Sequence, residues 1–245
     1  MADFAFMHGG GQGGWVWDET IAALALQSGG AARCLALDAP GCGAKRGRDT
    51  SAISFDEILS EMVSDVEAAG MDDVVLVGHS QAGTVLPGMA ALRPDLFAKL
   101  IYVSCIAPDP GLTVIEMSGQ RLHGAGETPA GRALNDPDMP PDERNRVMFC
   151  NDMEREQADS FLAKLGQDGW PRSSYAQADW RYDHLSALAS SYVLCLADAI
   201  LPPEWQARFA ETLHCTGVTR IDAGHQVMNT RPHALAEVLL AESVR

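Results

Sequence analysis

Val75-Leu76-Val77-Gly78-His79-Ser80-Gln81-Ala82-Gly83 reads as a buried strand that breaks sharply into a helix. A continuous apolar run precedes Gly78, and the stretch from Ala82 to Ala91 permits a helix. Glycines at 78 and 83 flank a central serine, the pattern of a nucleophile elbow. Such a turn strains the serine and lifts its hydroxyl clear of the sheet. A side chain in place of either glycine meets the neighbouring strand or helix. Ser80 is therefore the candidate nucleophile. Reading the stretch as an accidental glycine turn leaves its strand–turn–helix setting without a reason.

Outward from the elbow, short β-rich runs alternate with helical patterns, which predicts βαβ units and a mostly parallel sheet of about six strands with helices on both faces. The expected strands are 4–7, 33–37, 74–77, 100–104, 191–196 and 218–221, and the expected helices 18–27, 54–69, 82–93, 203–212 and 233–243. In the second of these helices Ile58, Met62 and Val66 recur on one face. Between Ala107 and Ser190 the alternation stops, with several Pro and Gly residues and only scattered helical pattern. A structureless loop of about 80 residues is implausible in a compact domain. The expectation is a core at 1–106 and 191–245 with a small helical cap inserted at 107–190.

A serine needs a base to act near neutral pH. Of the seven histidines, His225 follows the last expected strand, which places it with Ser80 at the C-terminal edge of the sheet. His8 and His79 are expected to shape loops there, and His123, His184, His214 and His233 to be exposed or structurally satisfied. A carboxylate must orient the imidazole. Asp198 follows the strand 191–196 and is preferred over Asp109 and Asp222. Oxyanion donors are expected from the backbone N–H of Gln81, directly after the nucleophile, and of Gly10 in the glycine-rich loop after the first strand. Trp170, Tyr175 and Trp180 are candidate walls of a substrate pocket, with core packing the plainer role for each.

That glycine loop also supports a reading from another class. Gly9-x-Gly11-x-x-Gly14, with Asp38 ending the second strand, formally matches a dinucleotide fingerprint. The density of glycines makes such a match hard to avoid, and a dinucleotide-binding oxidoreductase leaves Ser80 and His225 idle. No cofactor is expected, and no His, Cys, Asp and Glu cluster has metal-ligand spacing.

Composition bounds the partners. The chain has 245 residues with 18 basic against 33 acidic side chains, a formal charge of −15, which argues against nucleic acid and anionic membrane surfaces. No apolar run approaches the ~20 residues of a membrane span, and the N-terminus lacks the basic and apolar regions of a secretory signal. The six cysteines form no C-x-x-C pair. A cytoplasmic, reduced protein is the expectation. Its oligomeric state is open, a homodimer included.

With these residues in view, the chain resembles the α/β-hydrolase superfamily, and within it the branch of plant methylesterases, plant hydroxynitrile lyases and bacterial esterase relatives. The resemblance is carried by the segment from Phe6 to Trp17 with its His-Gly opening, by 38–43, by 78–83, by 198–206, and by Gly224-His225. It implies the α/β-hydrolase fold, a Ser–His–Asp triad at Ser80, His225 and Asp198, an oxyanion hole from Gly10 and Gln81, and a helical cap over an apolar pocket. It also implies a sheet without the two leading strands of the larger superfamily. The activity implied is cleavage of a small apolar carboxylic ester, lactone or thioester through an acyl-enzyme. Alternatives are a hydrolase-fold ligand-binding protein or receptor with little turnover, and a hydroxynitrile-lyase-like C–C lyase. Against the lyase, the plant enzymes carry lysine where this chain has Gln226 and threonine where it has Gly9. The cap sequence matches no family member closely enough to name a substrate.

Overall fold

A computed structural model describes residues 2–118, 122 and 128–243. Six parallel strands, β1 (Asp3–Met7), β2 (Arg33–Leu37), β3 (Val74–His79), β4 (Phe97–Val103), β5 (Ser190–Cys195) and β6 (Gly217–Ile221), form one sheet in the order β2-β1-β3-β4-β5-β6. The strand order reverses at β1 and β3, the kind of crevice in which open α/β sheets bind ligands. Ser80 directly follows β3, beside that reversal.

The central strands are buried on both faces, which explains their unbroken apolar runs. Alternate residues feed two separate cores. Ala5, Leu76, Leu100, Tyr102 and Tyr192 pack on one side with Ile58 and Met62 of helix α2 (Phe55–Ala68) and with Phe209 of the helix Pro203–Thr212. Phe4, Phe6, Val77, Ile101 and Val193 pack on the other with Leu24 of helix α1 (Asp18–Gln27) and Leu235 and Leu239 of the helix Pro232–Ser243. Helix α2 begins where a capping box sets it: Ser54 accepts the Glu57 N–H, and Glu57 accepts the Ser54 N–H at 2.8 Å.

The expected helix 82–93 is shorter than its sequence pattern. A 3-10 turn occupies Ser80–Thr84, and helix α3 spans only Leu86–Leu92. Pro87 in its first turn lacks an N–H, so it suits a helix start and not an interior. Between β4 and β5 the described residues hold short helices, Val114–Ser118, Pro129–Asn135, Pro141–Phe149, Arg155–Leu162 and Arg172–Ala176, and no strand. His123 lies outside the described residues. All six cysteines are free thiols. No helix among the described residues is long and apolar enough to cross a membrane.

Candidate active site

The elbow is built from the backbone outward. Ser80 has φ +54°, a left-handed conformation uncommon for a residue with a Cβ. Two bonds hold it there: the Ser80 N–H donates to Ser104 O and the Ile106 N–H donates to Ser80 O, each at 3.1 Å. The turn is stitched on both sides to the chain leaving β4. A strict Gly-x-Ser-x-Gly pattern has glycine two residues after the serine, whereas this chain has Ala82 there and glycine at 83. The structure accounts for the offset. A Cβ on Gly83 meets Ile106 O at 2.1 Å, so that close backbone approach requires glycine at 83. Ala82 fits as it is, fully buried in the core.

His225 stands in the loop after β6, and Asp198 in the loop after β5. The Ser80 hydroxyl lies 2.9 Å from His225 Nε2, and His225 Nδ1 lies 2.7 Å from Asp198 Oδ2. His225 is fully buried and Asp198 nearly so, while Ser80 keeps partial exposure. Only the serine end of this array meets solvent. Asp198 is held by the backbone: the Ile200 and Leu201 N–H groups donate to Oδ1 at 2.7 and 2.8 Å. Asp222, the rival close to His225 in sequence, is exposed, and Asp109 lies near Tyr182.

His79 braces the array, and His8 braces the glycine loop. His79 Nε2–H donates to the His225 carbonyl at 2.9 Å, and the two rings lie 4.5 Å apart. Burial, reinforced by His225, pushes His79 well below the usual histidine range, so it is a neutral prop. His8 accepts the Ala39 N–H on Nε2 at 3.2 Å and donates from Nδ1 to Gly9 O at 2.8 Å. Burial lowers its pKa to about 4.

The glycine loop closes against the elbow. A Cβ on Gly9 meets Ser80 Cβ at 2.9 Å, and a Cβ on Gly10 meets Gln81 Oε1 at 2.5 Å. The Gly9 N–H is already taken by Gln12 Oε1 at 3.2 Å. Asp38, the candidate ribose ligand of the dinucleotide reading, is consumed in loop structure. It accepts the Gly14 N–H at 2.7 Å and the Ala44 N–H at 2.9 Å.

The aromatic candidates separate. Trp170 is buried and donates its indole N–H to Gly9 O at 3.1 Å, so it supports the glycine loop. Tyr175 is half-buried, its hydroxyl beside Gly10 and Gln81. Trp180 is placed elsewhere: it stacks edge-on against Phe55 of α2 and donates to Leu112 O at 2.7 Å. Its indole N–H is satisfied by that carbonyl, and its ring is spent on the core. A cavity of about 690 Å³ adjoins the acid end, lined in part by Val147, Cys150, Leu196, Asp198 and Pro202. Its walls include neither Ser80 nor His225.

Two residues here escape sequence reading. Ser104 donates its hydroxyl to Asp198 Oδ2. Gln206 bonds Cys195 in both directions, through its N–H and its carbonyl, and so fixes the start of the Asp198 loop. Their one sequence signal is position, a polar residue at a strand's C-terminal edge or on the helix that follows.

The alpha/beta hydrolase family profile matches residues 4–238. The chain belongs to that family. It is 26% identical to a carbendazim hydrolyzing esterase of Nocardioides sp., over 98% of this chain and 99% of that one. It is 22% identical to polyneuridine aldehyde esterase of Rauvolfia serpentina, over 97% of this chain and 94% of the relative. Among solved structures, polyneuridine aldehyde esterase superposes with a TM-score of 0.77 at 20% identity, covering 99% of both chains. An extracellular alpha/beta-hydrolase from a Paenibacillus species gives the same TM-score at 19% identity, again over 99% of both. At such identities the structural likeness speaks for the fold.

Proposed function

We propose that this family member is a serine hydrolase that cleaves a small carboxylic ester, or a related lactone or thioester, through an acyl-enzyme. The observation that carries the reading is the unbroken relay from the half-exposed Ser80 hydroxyl through His225 to Asp198. Relatives named as esterases along nearly the whole chain support it.

In this reading His225 Nε2 takes the Ser80 proton as Oγ attacks the substrate carbonyl carbon. Asp198 holds the Nδ1–H tautomer and stabilises the imidazolium that forms. The negative charge on the carbonyl oxygen is met by the backbone N–H groups of Gln81 and Gly10, because the Gly9 N–H is already engaged. His225 then gives its proton to the leaving alcohol oxygen as the ester bond breaks. Water follows the same path: His225 removes its proton, hydroxide adds to the acyl carbon, and Ser80 leaves with the proton returned. The insertion at 107–190 serves as a cap whose contacts with the glycine loop and the base shape the acyl pocket. Trp170 fixes the loop, and Tyr175, whose hydroxyl lies beside Gly10 and Gln81, contacts substrate.

The test is hydrolysis of short-chain aryl esters by wild-type protein and Ser80→Ala, with fluorophosphonate labelling alongside. Loss of rate by several orders of magnitude and loss of labelling in the variant are expected. Equal rates end the proposal.

A further inference from the structure

We propose that Ser104 is a positioning residue that sets how strongly Asp198 draws a proton onto His225, and so sets the pH at which the base becomes available. The inference rests on the reading of Ser80, His225 and Asp198 as the reacting array. Ser104 is fully buried at the end of β4. Its hydroxyl donates to Asp198 Oδ2, the same oxygen that receives the His225 Nδ1–H.

A carboxylate oxygen that accepts a second donor shares its negative charge, and its pull on the imidazolium proton weakens. The opposing effect is small. Ser104 Oγ lies 3.4 Å from His225 Nδ1, too long for it to act as a good acceptor of the imidazolium N–H. The donation to Asp198 therefore decides the sign: with the hydroxyl removed, His225 holds its proton to higher pH.

The same residue also reaches the nucleophile. Its carbonyl accepts the Ser80 N–H at 3.1 Å and its N–H donates to Val193 O at 3.0 Å. Ser104 itself has φ +42°, an uncommon state for a residue with a Cβ. One residue thus holds the elbow by its backbone and the acid by its side chain.

The titratable groups facing this cluster are Asp198, His79 against the other face of His225, and Asp152 on the Gly224 N–H. The Tyr192 phenol and the Cys195 thiol also surround Asp198, and burial keeps both protonated. Burial and the neighbouring His225 hold His79 well below the usual histidine range, so it stays neutral around neutral pH.

The experiment is the rate of fluorophosphonate labelling against pH for wild type, Ser104→Ala and Ser104→Gly, with thermal melting to confirm folding. Wild type is expected to show an acid limb, and both variants to show it moved upward by about half a pH unit or more. Glycine relieves the positive φ while alanine keeps it, so a matched shift assigns the effect to the hydroxyl. An unmoved limb in both variants, or a limb that moves only in Ser104→Ala, overturns the inference while leaving the serine-hydrolase reading intact. Wild-type protein that folds but does not label overturns both.

Discussion

Asp152 Oδ2 accepts the backbone N–H of Gly224 at 2.7 Å, and Gly224 directly precedes His225. Next to it, Asn151 donates its side-chain N–H to Ala197 O at 2.7 Å, one residue before Asp198. A single turn of the segment between β4 and β5 therefore grips the loops that carry both His225 and Asp198. Phe149, at the head of the same turn, lies edge-on to the His225 ring at 6.0 Å. The segment between β4 and β5 is coupled to the array through these contacts. A Cβ on Gly224 meets Asp152 Oδ1 at 2.4 Å and Asn151 Oδ1 at 2.6 Å. Gly224→Ala must displace both side chains, whose short stems and bonds to Ala197 O and the Gly224 N–H leave little room to turn away, and displacements near 1 Å cost rates of about 10²-fold. The expected result is a drop of that order in kcat with KM changed much less. Asp152→Ala, which removes the grip without a clash, should lose about tenfold. Ester kinetics on both variants check the order.

Replacing Asp198 by asparagine keeps the shape and the bonds from Ile200 and Leu201 to one oxygen. It places an amide where Oδ2 accepts the His225 Nδ1–H. An amide N–H turned toward Nδ1 forces the other tautomer, which leaves Nε2 protonated and unable to take the Ser80 proton. Activity is expected to fall about 10³- to 10⁴-fold with little loss of stability. Retention of more than a tenth of wild-type activity argues that another carboxylate serves His225.

How much of this was legible in the sequence depends on what each residue answers to. Ser80, His225 and Asp198 sit in loops just past strands, and strand periodicity places those loops on one edge of the sheet. Ser104 and Gln206 were hidden because their bonds to Asp198 and Cys195 are set by strand register and loop path, which no local pattern records. Trp170 and Trp180 read alike in composition, yet one props the glycine loop and the other packs on α2. The apolar pattern of 82–93 runs on through the 3-10 turn that the elbow imposes, so sequence alone overstates that helix.

Gly9 and Gly10 make a paired prediction. The Gly9 position leaves a Cβ 2.9 Å from Ser80 Cβ and 3.1 Å from His79 Nδ1, neither of which can yield easily. The Gly10 position leaves a Cβ 2.5 Å from Gln81 Oε1, the far end of a side chain that can turn away. Gly9→Ala is expected to cost at least about 10²-fold in kcat, in the range of losing an oxyanion donor. Gly10→Ala should cost less than about tenfold. The reverse ranking in steady-state assays contradicts this placement of the loop.

Two of the buried histidines, His8 and His79, predict how stability depends on pH. His8 falls from 6.5 to about 4 on folding because burial disfavours its charged form, and protonation also removes the Nε2 lone pair that accepts the Ala39 N–H. Between those values the unfolded chain binds a proton that the folded chain refuses, so stability drops as pH falls from 6.5 toward 4 and this contribution levels off below. From neutral pH to pH 5 the loss from His8 alone is about 2 kcal/mol, taking roughly 1.4 kcal/mol per pH unit across the window. His79, lowered by burial and by His225, adds to it in the same direction. Carboxylates act at lower pH: Glu57, for example, is held below its usual value by the Ser54 backbone N–H. Urea unfolding at pH 7.5, 6 and 5 should show this decline, and His8→Gln should flatten it while lowering stability at pH 7.5 through the disturbed glycine loop. A wild-type stability that stays level or rises from pH 7.5 to 5 rules out neutral burial of these rings.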